Sequence, residues 1–162
     1  MKIKIGHSYD VHQLVENRDL ILGGIKIEHS KGLLGHSDAD VLLHAITESI
    51  IGAMGLGDIG TLFPDNDPKY KGIDSMILLK EVVEIMSQNN YSINNIDATL
   101  YLEQPMMKPH IENIRTNIAK NISMDFNDVN IKATRGEKMG FIGREEGIAA
   151  EAVVLLVKDI SW

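Results

Sequence analysis

The chain has 162 residues, 44% hydrophobic and 24% charged, the balance of one globular domain with a core large enough to fold without a staple. It contains no cysteine, which excludes a disulfide scaffold, a thiolate zinc cluster, an iron–sulfur centre and a cysteine nucleophile. A formal net charge of −7 argues against nucleic-acid or membrane-surface binding, so an anionic substrate requires metal ions or local donors to offset the protein's own field.

The opening segment alternates Ile3 and Ile5 with lysines, which predicts a first strand leading to Gly6-His7 and is too short for a secretory signal. No apolar run approaches the roughly 20 residues of a membrane span, and a cytoplasmic location is expected. Leu20 to Ile27 predicts two short strands broken at Gly23-Gly24. Ser37 is placed to cap a helix with Leu42, Ala45, Ile46, Ser49, Ile50 and Ala53 on one face, ended by Gly55 or Gly57. A second helix is predicted over 75–88 with Met76, Leu79, Val83 and Met86 buried. Ile96, Ala98, Leu100 and Leu102 alternate as a strand. Pro109 suits the first turn of a third helix burying Ile111, Ile114, Ile118 and Ile122. Val129, Ile131 and Ala133 alternate again, and 147–157 is a strand apolar on both faces.

These elements predict an α+β fold: a small mixed sheet with about three helices on one face, in a single domain spanning 1–162. The helices suffice to cover one face, so the other is expected to meet further subunits, making a homo-oligomer.

Five of the six histidines lie within the first 44 residues. Asp10 and His12 are two apart, a spacing that points both side chains to one side of an extended segment and turns Val11 into the core. His44, on the flank of the first helix, is the leading third ligand, and three O/N ligands with one open position is the pattern of a catalytic zinc site. Glu48, one turn after His44, is placed to hold its other ring nitrogen. On spacing alone, Asp10-x-His12 also reads as a polar turn. His29 is taken as solvated, and His7 and His110 as structural.

Gly55-Leu56-Gly57-Asp58-Ile59-Gly60 matches a dinucleotide-binding string, but it follows a helix rather than a strand and no helix is predicted at its end, so a nicotinamide cofactor is rejected. It remains either a lining for phosphate or a helix cap and turn. The 61–68 loop, with Asp65 and Asp67 between prolines, reads as a hydroxyl or metal site or as a solvated turn. Arg135, Lys138 and Arg144 beside Glu137 form the one basic cluster of the chain, either a solvated charge mixture or the anion-binding half of the metal site. Glu151, inside an apolar strand, requires a partner if buried, and Arg144 is the candidate.

Together, Gly6-His7-Ser8-Tyr9-Asp10-Val11-His12, 32–41 with His44, 56–60, 63–67, 128–134, Gly140-Phe141, Gly143-Arg144 and Gly147-Ile148-Ala149 resemble the 2-C-methyl-D-erythritol 2,4-cyclodiphosphate synthases of the non-mevalonate isoprenoid pathway, over essentially the whole chain. The resemblance implies a homotrimer with its sheets packed together and active sites between adjacent subunits. It implies cyclisation of a cytidine-diphospho-methylerythritol 2-phosphate with release of CMP. Asp10, His12 and His44 then match Zn2+ ligands, with Asp10 and His12 also facing the substrate, and Glu137 matches the ligand of a second ion, Mg2+ or Mn2+. His36 and Ser37 match a loop over the substrate; Asp58, Ile59, Gly60, Phe63, Asp65 and Asp67 match the methylerythritol pocket. Leu102, Gln104, Pro105, Met106, Met107 and Lys108, with Thr134, match the nucleotide site, and Phe141 and Arg144 match substrate contacts.

Two positions depart from that pattern. Arg135 stands where a threonine is usual, and Met106 where a lysine is usual. Direct catalytic roles are assigned to His36 and to Arg135, which is expected to contact the diphosphate in place of the hydroxyl. A mononuclear zinc hydrolase using His36 as base, and an oligomeric module with a structural metal, are the alternatives.

Overall fold

The first strand is far longer than its two isoleucines foretell. In a computed structural model describing residues 1–64 and 66–158, β1 spans Lys2–Glu16. Its even-numbered residues from Gly6 to Leu14 face the interior and its odd-numbered ones face outward. Two three-residue strands, β2 (Leu20–Leu22) and β3 (Ile25–Ile27), form a hairpin. Gly23 and Gly24, at φ of 63° and 73°, supply the left-handed pair that a two-residue turn demands. β4 (Lys31–Leu33) follows, then α1 (Val41–Met54), α2 (Ile59–Leu62), α3 (Ser75–Gln88), β5 (Ser92–Tyr101), α4 (Ile111–Asn121), β6 (Val129–Thr134), α5 (Gly140–Gly143) and β7 (Gly147–Lys158).

The main sheet runs β4-β1-β7-β5-β6, antiparallel except for the β5–β6 pair. This is the expected α+β architecture, with the long helices on one face. α1 lies across β1 and β7, α3 packs on α1, and α4 lies over β6. α1 is buried almost all round, including Leu42, Ile46 and Ile50, each with no exposed surface. Each such side chain contributes about 1.5–3 kcal/mol, so this helix is the centre of the core.

The close approach of α1 to β1 explains Gly6. A Cβ there would stand 1.7 Å from the Ser49 carbonyl oxygen and 2.9 Å from the Ala53 Cβ. Gly6→Ala is expected to push α1 off the sheet at a cost of about 3 kcal/mol, lowering Tm by roughly 6–12 °C. An unchanged Tm in a thermal melt would contradict that contact.

Several local expectations are corrected. The cap of α1 is Asp40, not Ser37. Asp40 is fully buried and accepts from the backbone N–H of Leu43 (3.0 Å), Gly23 (3.0 Å) and Gly24 (2.6 Å), tying the β2–β3 turn to the helix. Burial pushes its carboxyl up to about 6 in spite of those donors. α3 buries Val82 fully, and Val83 sits half-buried at its flank. α4 begins at Ile111, two residues after Pro109. Val11 is 45% exposed on the outer sheet face, because Asp10 and His12 take the interior face of β1. That outer face also exposes Ile3, Ile5, Tyr9 and Val153.

Candidate metal centre and substrate pockets

The pleat of β1 delivers Asp10 and His12 to its helix-covered face, and the first turn of α1 delivers His44 to the same point. Asp10 Oδ2 lies 3.1 Å from His12 Nε2 and 3.1 Å from His44 Nδ1, and the two nitrogens are 3.1 Å apart. This equilateral triangle is close to the separation of about 3.3 Å that a tetrahedral zinc imposes on ligands held at about 2.0–2.1 Å.

The far ring nitrogens fix what faces the triangle. His12 Nδ1 donates to the Leu34 carbonyl at 2.8 Å, leaving the Nε2 lone pair free. His44 Nε2 meets the hydroxyls of Ser75 (2.9 Å) and Ser37 (3.0 Å). Two imidazole lone pairs and a carboxylate oxygen therefore converge, an arrangement that repels itself unless a cation sits among them. Without a metal, a proton fills that place. Burial alone would raise the Asp10 carboxyl, but the His12 and His44 imidazoles beside it outweigh that and hold the group well below the usual carboxylate range. Burial likewise opposes charge on His12, yet Asp10 raises its pKa above the ordinary imidazole value. The donor set fits a divalent cation of zinc's kind.

The triangle opens into a cavity of about 310 Å³ lined by His36, Ser37, Glu48, Ile59, Phe63 and Tyr70 among others. His36 is exposed at this cavity, whereas Ser37 is buried with its hydroxyl on His44. Glu48 does not hold His44. It accepts from the Ser8 hydroxyl at 2.9 Å, because the serines of 37 and 75 already occupy the far side of the imidazole.

The glycine string follows α1, with Gly55 as its left-handed C-cap. A one-turn helix, α2, does begin inside the string, capped by Asp58, which accepts from Thr61 N (2.8 Å) and Thr61 Oγ1 (2.7 Å). Gly60 is exposed, and Phe63 is buried edge-on to Tyr70 with ring centroids 5.4 Å apart. Asp67 caps the turn over Pro68–Tyr70 through Lys69 N. Asp65 lies outside the described residues.

A second, smaller cavity of about 160 Å³ is lined by Leu102, Pro105, Met106, Met107, Lys108, Thr134 and Arg135, with Ala133. It gathers most of the residues expected at the nucleotide site; Gln104, within the same loop, is exposed. The register places His12 opposite Ile148, Tyr101 opposite Ala149 and Tyr101 opposite Thr134. Both cavities therefore open at one end of the sheet, but β1 and β6 are three strand spacings apart, about 14 Å. They share no lining residue.

Glu137 is exposed on a turn whose φ values at Glu137 (51°) and Lys138 (61°) are left-handed, a conformation held by its surroundings and frequent at functional sites. Phe141 is 38% exposed in α5. Arg144 pairs with Glu146 (2.8 Å) and not with Glu151. Glu151 lies on the outer sheet face, bonded to His7 Nε2 (2.7 Å) and the Tyr101 hydroxyl (2.7 Å). His29 is half-buried rather than solvated, with Nε2 shielded from solvent. His110 stands at the start of α4 without a side-chain cap bond.

Four supporting residues escaped the sequence reading. Arg18 donates to the carbonyls of Gly35 (3.4 Å) and Ser37 (3.2 Å), bracing the His36 loop. Glu103 accepts from Gly136 N at 3.0 Å, joining the two loops of the smaller cavity. Asp38 and Ser75 meet beside His44. No periodicity or spacing marks such long-range pairs.

Known proteins resemble this chain in sequence and fold. The family model described as the YgbB family matches residues 3–157. A 2-C-methyl-D-erythritol 2,4-cyclodiphosphate synthase of Clostridium perfringens (strain ATCC 13124) is 60% identical over 156 residues, 96% of this chain and 100% of that protein. The bifunctional IspDF of Campylobacter jejuni superposes at a TM-score of 0.92 with 43% identity, over 96% of this chain and 42% of that one. IspF of Plasmodium falciparum, solved as a CDP complex, superposes at 0.85 with 35% identity, over 98% of this chain and 97% of that one. On a match that runs almost end to end and a relative 60% identical over its full length, this chain belongs to the YgbB family, that of the 2-C-methyl-D-erythritol 2,4-cyclodiphosphate synthases.

Proposed function

We propose that this chain converts 4-diphosphocytidyl-2-C-methyl-D-erythritol 2-phosphate to the 2,4-cyclodiphosphate and CMP, as a metal-dependent phosphorus–oxygen lyase. Within the family, the observation that carries the reading is the Asp10, His12 and His44 triangle opening into a cavity. An oxygen of the 2-phosphate forms a new bond to the β-phosphorus, and the bond from that phosphorus to the oxygen bridging it to the α-phosphate breaks, releasing CMP. The nucleophile belongs to the substrate, so the protein's task is positioning and charge stabilisation. When bound, a zinc held by Asp10, His12 and His44 and a second divalent ion, Mg2+ or Mn2+, held by Glu137 supply positive charge to the phosphate oxygens. One carboxylate is a sparse protein share for the second ion, which suits a cation completed by substrate phosphates.

His36 closes over the bound substrate and Ser37 shapes the same loop. Asp58, Ile59, Gly60, Phe63, Asp65 and Asp67 surround the methylerythritol moiety. Leu102, Gln104, Pro105, Met106, Met107 and Lys108 cradle the cytidine with Thr134, and Arg135, Phe141 and Arg144 contact the diphosphate region. The active chain is a homotrimer, with the metal cavity of one subunit facing the nucleotide cavity of the next. Support comes from the two cavities standing apart within one chain and from the apolar row of Ile3, Ile5, Tyr9, Val11 and Val153 on the helix-free face. Among the described residues, no helix is long and apolar enough to cross a membrane. The enzyme works on a free nucleotide in the cytoplasm.

The relatives and solved structures above are named as synthases, which gives the zinc-hydrolase reading no support. Phosphorus NMR of a reaction with the cytidine diphosphate substrate is expected to show a cyclic diphosphate and CMP in equal amounts. Inorganic phosphate as the product would overturn the assignment, and zinc bound without any turnover would favour a structural metal.

A further inference from the structure

Ser75 opens α3 with no exposed surface, and its hydroxyl touches both His44 and Asp38. Asp38 Oδ1 receives the hydroxyl proton of Ser75 in a short hydrogen bond and also accepts from Asp40 N at 3.1 Å. Asp38 Oδ2 accepts from Ser75 N at 3.1 Å. A carboxylate is an acceptor, so the Ser75 proton is committed to Asp38, and its oxygen can then only accept from His44. Ser37 is different: its oxygen accepts from Ala39 N at 3.1 Å, but its proton is not bound to a carboxylate, and it lies 3.0 Å from the same imidazole nitrogen. Ser37 can therefore serve either tautomer of His44, whereas Ser75 serves one.

We propose that the Asp38–Ser75 pair is a positioning device for the metal centre, holding His44 as the Nε2–H tautomer so that the Nδ1 lone pair faces Asp10 and His12. This rests on the metal reading of the triangle, and it names residues that act through His44 without touching substrate. In the opposite tautomer a proton occupies the one nitrogen that a cation needs. The pair also links metal affinity to the docking of α3, since Ser75 is that helix's first residue. Partners of this kind typically change metal affinity by about 10- to 100-fold.

The test uses the full chain labelled with 15N at histidine. In metal-free protein at about pH 8.5, well above the ordinary imidazole value, correlation spectra are expected to show His44 as Nε2–H. Ser75→Ala is expected to introduce a population of Nδ1–H, supported by the Ser37 hydroxyl, and to weaken zinc binding by about 10- to 100-fold in a chelator competition. Ser75→Thr, which restores the hydroxyl, is expected to return both readings toward wild type and guards against a folding defect in the alanine variant. A purely structural link between α3 and the loop would leave the tautomer unchanged, and an unaltered Nε2–H signal in Ser75→Ala with zinc affinity within about twofold of wild type overturns the proposal. If wild-type protein bound no zinc, the metal reading would fall, while the tautomer shift in metal-free Ser75→Ala would still uphold or reject the role of the pair.

Discussion

His12→Ala is expected to abolish stoichiometric zinc and to slow CMP release by about a thousandfold, equivalent to roughly 4 kcal/mol of barrier. The size follows from the triangle: with one corner removed, only two protein ligands remain, too few to hold a cation against water. Stability separates this effect from misfolding. In the metal-free chain a proton links the same groups and His12 Nδ1 bonds the Leu34 carbonyl, so deleting His12 is expected to cost about 1–3 kcal/mol of stability without unfolding the chain. Wild type gains stability from added zinc in proportion to the logarithm of zinc over its dissociation constant, and the variant should gain none. Metal analysis, thermal melts with and without zinc, and a CMP-release assay read all three. Retention of one zinc per chain with normal turnover would remove the metal centre from the account.

The candidate ligand cluster was legible because two of its members share a strand. The i, i+2 rule that joined Asp10 to His12 is a property of any extended backbone, and β1 obeys it. The same rule misassigned Val11, since it says which residues share a face but not which face the helices will cover. His44 needed one more step, the burial of α1 on β1, which is a tertiary fact. The partner of its far nitrogen was misread for a related reason: Glu48 is one turn away in sequence, but Ser75 arrives from α3, and helical periodicity carries no information about what another helix brings. The buried carboxylate of Asp40 shows the same limit, because its donors Gly23 and Gly24 come from a separate hairpin. The core, by contrast, was readable nearly residue by residue: Ile96, Ala98, Leu100, Ile114 and Ile118 are all buried as their spacing requires. Ala133 is exposed although its alternation matches Val129 and Ile131, because it lines the smaller cavity instead of the core.

Arg135 carries the second large effect. Arg135→Ala is expected to lower kcat by about a hundredfold to a thousandfold, the usual consequence of losing one donor aimed at developing phosphate charge. Arg135→Thr should stay within about tenfold of wild type, on the expectation from the family resemblance that a threonine hydroxyl serves at this place. The backbone there is well fixed. Gly136 N is held by Glu103, and a Cβ at Gly136 would stand 2.6 Å from Gly143 N, so the segment is pressed against α5 and the side chain of residue 135 projects from a rigid base. Arg135 is exposed at the smaller cavity beside Thr134, and among the described residues it forms no ion pair, whereas Arg144 is committed to Glu146. An unpaired guanidinium at the mouth of the smaller cavity in a chain of net charge −7 is well suited to an anionic oxygen. Because its contribution is to the transition state, the loss should appear in kcat with KM little changed. Equal, near-normal rates in Arg135→Ala and Arg135→Thr would show that neither charge nor hydroxyl acts here and would end this proposal.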